Sequence, residues 1–468
     1  MSFYKRSLLQ LAIGGVMLSA AIEASAQEPA LDAVIKAVNN NPEVLQQWYE
    51  LKSVEAELDQ ASAAYKPSLD ISTEYNYNKR DYSFNREYDG ARADVQLTQV
   101  LFDGFQALNV IERFEQIKLV RYYEFRTVAE NVGYAALEVY LDVLRYRYLV
   151  NLARENVEQH KKVYEQIRES AQAGVARNAD LEQITGRLAL AKSNLLTQQS
   201  NLHDVTSRYI RIVGELPPKQ MPNANLNKLT LPKDIRAAIR LANRHNPELK
   251  AALRDIEAKQ QQIEESKGAY YPQLQLVASH GVSELDNNGF DNSQYDTQVG
   301  IQMSMNLYSG GRDYATTRRN VAQLNSAQQR RDVVCRNIHQ TLLIEINALR
   351  NLNEQLPALE QHKLSSSKVR TAYKDQFDIG QRSLLDVLDA ENEYYEASIA
   401  LIESKFAIKA GKAQLLASIG ELLNQLTNTG EFKGFERDSA EPLQVNPDFA
   451  CPATDVTNAY YADYHWVE

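Results

Sequence analysis

The chain writes one unit twice. Asn41-Pro42 and Asn246-Pro247 stand 205 residues apart, as do Pro67 and Pro272. Phe102-Asp103-Gly104 corresponds to Tyr308-Ser309-Gly310, Gly174 to Gly380, Asp180 to Asp386, and Gly214-Glu215-Leu216 to Gly420-Glu421-Leu422, all at an offset of 206. The one-residue change in length therefore falls between Pro272 and Gly310. A repeat this long means that whatever supersecondary unit the first half specifies, the second half specifies again. Residues 27–213 and 235–420 are the two copies. Residues 214–234, with Pro217-Pro218, Pro222 and Pro232, are a linker, and residues 421–468 are a tail rich in Asn, Asp, Pro and Tyr, expected to be irregular.

Each copy reads in the same order. A helix starts at Pro42 or Pro247, a residue suited to the first helical turn. It ends near Tyr65 or Tyr271, because the residue before a second proline avoids the helical region. The hydrophobic period then changes from helical to two. In Leu69-Asp70-Ile71-Ser72-Thr73-Glu74-Tyr75-Asn76-Tyr77-Asn78 one face is apolar or aromatic and the other strongly polar. A polar loop from Asp81 to Asp89 leads to a second alternating run through Ala93, Val95 and Leu97. The second copy has Leu274, Leu276 and Ala278, a loop at Asp286-Asn287-Asn288-Gly289, and then Val299, Ile301, Met303, Met305 and Leu307. Runs of this kind approach the ~9–11 residues that a tilted strand needs to cross a bilayer. Tyr75, Tyr77, Tyr82, Phe84 and Tyr88 gather where an interfacial aromatic girdle would lie. The competing reading of the same alternation is a pair of soluble hairpins packed on helices.

After Gly104 or Gly310-Gly311 the helical period returns and runs almost unbroken from about Gln106 to Ala173, with Leu137, Leu141, Leu144, Tyr148 and Leu152 stepping along one seam. At ~1.5 Å per residue such a run is a rod of roughly 100 Å, far beyond a globular core. Gly174 closes it as a C-terminal cap glycine, and a return helix follows from Asn178 to Val213. The second copy repeats this from Arg312 to Phe377, with Pro357 allowing a local kink, and from Ser383 to Ile419.

The N-terminus carries an export address: Lys5 and Arg6, an apolar run from Leu8 to Ala21, and Ala24-Ser25-Ala26. Cleavage after residue 26 is expected. It removes Lys5, Arg6 and Glu23 and leaves 49 basic against 60 acidic side chains, −11. An acidic exported chain is a poor partner for nucleic acid. No cysteine follows the cleavage site, so an N-terminal lipid anchor is not expected. Cys335 and Cys451 are the only two cysteines; they are open to oxidation after export, but one pair is no disulfide framework.

Four strands cannot close a membrane barrel, since the smallest use about eight, and open strand edges in lipid would leave amides unpaired. If the strands enter the membrane, several copies must share one barrel. Three would supply about twelve strands, with the polar faces lining a water-filled lumen that the long helices continue.

The turn of the second copy is the most distinctive stretch: Gly380-Gln381-Arg382-Ser383-Leu384-Leu385-Asp386-Val387-Leu388-Asp389-Ala390. Together with the duplicated helix–hairpin–helix unit it resembles the TolC family of outer-membrane channels. From Gln376 through Glu393 it further resembles members that serve type I secretion of large adhesins in agglutination and biofilm formation. The resemblance implies a mainly α fold with a membrane β-barrel portion: a homotrimer sharing a twelve-stranded barrel on an α-helical tunnel whose periplasmic tip is closed. It implies an outer-membrane location with the helical part and tail in the periplasm, a periplasmic adaptor, and an inner-membrane ABC or other transporter. By motif position Asp386 and Asp389 match aspartates that ring the constriction, Arg382 matches the tip arginine, and Asp180 stands where the family has the acidic partner of the tip latch. Phe377 occupies the place of a gating Tyr in some members and lacks the hydroxyl. Gly174 and Gly380 are the tip turns.

Each residue also has a plainer reading. Ser383-x-x-Asp386 resembles a capping box, in which Asp386 serves its own helix terminus; the two roles are compatible. Arg382 and Asp180 read equally as solvated surface charges. Enzyme chemistry finds no support: the seven His are scattered without metal-ligand spacing, and there is no phosphate loop or nucleophile elbow. No cofactor is expected. The functional expectation is an exit duct for an exported adhesin, with small-molecule efflux as the alternative and a soluble periplasmic coiled-coil adaptor or scaffold as the competitor from another class.

Overall fold

A computed structural model describes residues 29–81, 85–286, 291–427, 446 and 450–451. The export address, Tyr82, Phe84, the Asn287-Asn288-Gly289 loop and most of the tail lie outside the described residues, as does the side chain of Tyr88.

The two copies fold alike. The first contains helices α1 (Pro29–Asn40) and α2 (Pro42–Ser62), strands β1 (Ser68–Asp81) and β2 (Asn85–Phe102), and helices α3 (Gln106–Gln172) and α4 (Asn178–Val213). The second contains α5 (Ile235–His245), α6 (Pro247–Lys267), β3 (Gln273–Asp286), β4 (Asp291–Ser304), α7 (Arg312–Asp378) and α8 (Leu384–Ile419); a short α9 (Leu422–Thr427) follows. A one-turn 3-10 helix bridges α2 to β1, and another bridges α6 to β3.

Why Asn-Pro recurs is visible in the packing. Asn41 caps α2 by accepting from the Glu43 amide, and its amide nitrogen donates to the Ile212 carbonyl at 3.1 Å. Asn246 caps α6 through the Leu249 amide and donates to the Ser418 carbonyl at 2.9 Å. Both side chains are buried, so each dipeptide starts a helix and pins it to the end of that copy's return helix.

The strands form one antiparallel sheet in the order β1-β2-β3-β4, so β1 and β4 present free edges. Pairing runs from Ser68↔Thr98 to Asp81↔Asn85 and from Gln273↔Ser304 to Asp286↔Asp291. The Asp81–Asp89 loop of the sequence reading is therefore mostly strand, with only residues 82–84 between β1 and β2. At the other end β4 stops at Ser304, short of Met305 and Leu307: the Asn306 side chain accepts the Tyr308 amide at 2.9 Å and turns the chain out of the ladder. One face carries Leu69, Ile71, Tyr75, Val299, Ile301 and Met303, each at least 68% exposed. The other carries Asp70, Ser72, Glu74, Asp94, Gln96, Ser279, Asp296 and Gln298 at matching register positions.

Glycine is required at the strand-to-helix bend. Gly104 has φ +70°, and a Cβ there would lie 2.7 Å from both the Gly268 carbonyl oxygen and the Tyr271 Cβ. Phe105, at the position of Gly311, takes φ +64° itself and holds its ring edge-on to Phe102 at 5.4 Å.

Both α3 and α7 run for 67 residues, roughly 100 Å at ~1.5 Å each. Pro357 sits inside α7 without ending it. The predicted seam holds at Leu137, Leu141 and Leu144, but Tyr148 is 46% exposed and the buried line moves to Leu149, Val150 and Ala153. A straight helix drifts ~20° per heptad, so fixed three-and-four stepping rotates off the packed face. Among the described residues no helix is long and apolar enough to cross a membrane.

Around the waist two apolar clusters form, one centred on α1, α3 and α4 and joined by Phe406, Ala413 and Leu416 of α8 and Leu422 and Leu423 of α9, the other on α5, α6, α7 and α8. The linker is strapped to this level: Tyr140 donates to the Pro222 carbonyl at 2.8 Å and Arg147 to that of Lys219 at 3.0 Å. The start of the tail is ordered too, contrary to expectation. The Leu423 amide donates to buried Glu130 at 3.2 Å, the Leu423 side chain fills the notch over Gly133, and Gln425 exchanges two hydrogen bonds with the Thr230 backbone. Cys335 and Cys451 form a disulfide that returns the tail to α7 across a separation of 116 residues.

Candidate functional site: the tip of the helical hairpins

The site is built from two turns. Gly174 (φ +77°) ends α3 and Gly380 (φ +79°) ends α7, each in the left-handed conformation a tight reversal needs. The Val175 amide donates to the Ser170 carbonyl at 2.9 Å and the Gln381 amide to that of Gln376 at 2.8 Å, so the two turns close in the same way.

The helices leaving the turns differ. α8 begins with a full capping box, Ser383 accepting from the Asp386 amide while the Asp386 carboxylate accepts from the Ser383 amide at 3.3 Å and its hydroxyl at 2.7 Å. Those bonds, chiefly the hydroxyl, hold the Asp386 carboxyl below the usual range. α4 begins at Arg177, whose side chain caps nothing, and Asp180 lies in its first turn as the only acid there.

Arg382 is not a free cation. Its guanidinium donates to Gln376 at 2.9 Å, stands 4.1 Å from the Tyr373 ring centre, and lies 3.9 Å from Asp386. All three partners belong to its own hairpin, and within one chain Arg382 and Asp180 are not paired. Phe377 packs with Val163, Tyr164, Ala176 and Leu181 around a core of Ile167, Ile184, Leu384 and Leu388. Its ring thus joins the two hairpins by apolar contact.

Two polar contacts escaped the sequence reading. Arg187 on α4 makes a 2.8 Å ion pair with Asp389 on α8, crossing from one copy to the other. Arg370 on α7 lies 3.7 Å from Glu391 and 3.9 Å over the Tyr394 ring. Burial pushes the Glu391 carboxyl up, with Arg370 and Lys374 opposing. The spacing Asp180, Ile184, Arg187 would have revealed that Arg187 shares the packed face of α4, but its partner could be found only in three dimensions. No cluster of His, Cys, Asp and Glu suited to a metal occurs among the described residues.

A sheet long enough to cross a bilayer, carried on helices that outrun any globular core, defines a channel extended by a helical tunnel. The chain belongs to the outer membrane efflux protein family, which matches residues 34–214 and 238–421. It is 23% identical to the outer membrane protein TolC of Escherichia coli, over 98% of this chain and 94% of that one. It is 26% identical to the proteases secretion protein PrtF of Dickeya chrysanthemi, over 80% and 84%. Its fold superposes on the Campylobacter jejuni CmeC outer membrane channel with a TM-score of 0.75 at 15% identity, covering 87% of this chain and 90% of that one. The protein is thus a TolC-like outer-membrane channel with its helices in the periplasm, and its family is one of transport ducts rather than enzymes.

Proposed function

We propose that this chain is the exit duct of a tripartite export system serving type I secretion of a large adhesin. Three copies would share one barrel of about twelve strands set in outer-membrane lipid. The periplasmic ends of the helices would meet an adaptor, which couples them to an inner-membrane ABC or other transporter. Energy would come from those partners.

The observation that carries the duct is the sheet: two free edges, one face of exposed aliphatic and aromatic side chains, and an opposite face of carboxylates and amides. Free edges in lipid leave backbone groups unpaired at several kcal/mol each, so the edges must meet those of other copies. The same exposed rows argue against a soluble scaffold. Support for adhesin as cargo is the tip motif from Gln376 to Glu393, together with a secretion protein among the relatives. Small-molecule efflux is the second reading, favoured by the family's own description.

At the tip, Asp386 and Asp389 of three copies would set six carboxylates around one constriction. Such a ring favours cations and repels anions. Gene deletion separates the cargo readings: loss of surface adhesin with unchanged drug sensitivity supports secretion, and the reverse pattern supports efflux. Extraction without detergent as a monomer would refute the duct itself.

A further inference from the structure

Beyond the family's shared architecture, one contact at the tip belongs to this chain's own residues. Arg187 Nη2 and Asp389 Oδ1 lie 2.8 Å apart, on helices from different copies of the repeat. Beneath them Ile184 and Leu388 are fully buried and Leu384 nearly so. Ile184 lies one turn before Arg187, and Leu388 directly precedes Asp389, so the ion pair caps the apolar contact that holds α4 against α8.

We propose that Arg187 is a positioning residue with two effects. It latches the two hairpins of one chain together, and it withholds the charge of Asp389 from the constriction. The proposal rests on the reading that Asp386 and Asp389 face that constriction.

The two aspartates are held differently. Asp386 is bound within its own turn, by Ser383 and Arg382, and can move with α8 as a unit. Asp389 is bound to the other hairpin and cannot move outward without breaking the pair. Phe377 shares the same cluster and has no hydroxyl, so it ties the hairpins only by apolar contact. Polar latching between them therefore falls to Arg187.

The repeat makes the latch one-sided. At the offset of 206, Arg187 corresponds to Glu393 and Asp389 to Gln183. In a closed ring of alternating hairpins the reciprocal contact lies between neighbouring chains, and it would bring Glu393 to Gln183 with no cation present. The latch works within each chain and not between chains. With Arg187 on Asp389 and Arg382 beside Asp386, each of these carboxylates has a cation next to it, so the wild-type ring is less cation-selective than its aspartate count suggests.

Full-length trimers in planar lipid bilayers test this. Arg187→Gln frees Asp389 and loosens the tip, so closed-channel conductance rises and the reversal potential shifts toward stronger cation selectivity. Asp389→Asn raises conductance too but shifts selectivity the other way. An exposed ion pair supports a change of roughly 1.5- to 5-fold in open-state occupancy per pair broken. Glu393→Gln leaves both readouts unchanged. The charge reversal provides an independent arm: Arg187→Asp combined with Asp389→Arg restores the low conductance that Asp389→Arg alone lacks. Equal conductance of that single and double variant overturns the proposal, as does an Arg187→Gln channel matching wild type while Asp389→Asn shifts the reversal potential. If neither Asp386→Asn nor Asp389→Asn moves the reversal potential, the constriction reading itself falls.

Discussion

Glu130 makes the docking of α9 depend on pH. The side chain is 1% exposed in the waist cluster and accepts from the Leu423 amide at 3.2 Å. Burial raises its pKa from 4.5 to about 8, opposed by Arg126 and by the amides of Leu423 and Leu422, and assisted by Glu421. When α9 lifts away, Glu130 meets water and its pKa returns toward 4.5. The docked state then holds a proton that the undocked state lacks throughout the interval between 4.5 and about 8. Docking stability is complete below that interval and declines as pH rises through it, by at most about 1.4 kcal/mol per unit, or tenfold in the opening equilibrium. Above about 8 the dependence flattens. Hydrogen exchange at the Leu422 and Leu423 amides, corrected for intrinsic chemistry, reports this equilibrium. Protection in the wild type should fall between pH 5 and 8, while Glu130→Gln, neutral at every pH, should be flat. A flat wild-type profile, or an equal slope in the Gln variant, would refute the assignment.

Other outcomes follow from packing and covalent geometry. Reduction of the Cys335–Cys451 disulfide, or Cys451→Ser, should lower thermal stability: the bond closes a separation of 116 residues, and loops near 100 residues correspond to about 4.7 kcal/mol in the chain-entropy model. Scanning calorimetry with and without reductant reads it. Gly104→Ala meets the Gly268 carbonyl and Tyr271 while forcing φ +70° on a residue with a Cβ. The backbone conformation alone costs roughly 1–2 kcal/mol, so the yield of heat-resistant trimer should fall, whereas Gly174→Ala, with nothing within 4 Å, should bear only that backbone term. Asn41→Ala and Asn246→Ala each remove a cap worth ~0.5–2 kcal/mol together with a second buried bond. Similar losses of melting temperature for the two would confirm that both copies use the dipeptide alike.

Much of this fold was legible in the sequence because the repeat supplied two independent readings of every boundary. The starts at Pro42, Pro247, Asn178 and Arg312 and the ends at Val213 and Ile419 fall where prolines, glycines and periodicity place them. α1 and α5 were not anticipated, because the first helix of each copy was placed at Pro42 and Pro247. They carry their own signals, including Asp234 capping the Ala237 amide, but they run into the Asn-Pro starts with almost no spacer. α9 was hidden in a tail of poor pattern because its stability comes from Glu130 and Gly133, nearly 300 residues earlier. At the tip the capping box was readable from Ser383 and Asp386, since both partners are local. The Arg187–Asp389 pair was not, because its residues lie 202 apart and no periodicity relates them.

Pro357 has a mechanical consequence. Its ring nitrogen offers no hydrogen to the ladder of α7, while the matching position of α3, at the offset of 206, is Asn151, which donates normally. Two shafts of equal length thus differ in stiffness. Bending concentrates in the second about 20 residues above its tip, some 30 Å of helix. A pull on the six hairpin ends of a trimer would swing three of them like jointed arms and leave the other three standing as posts.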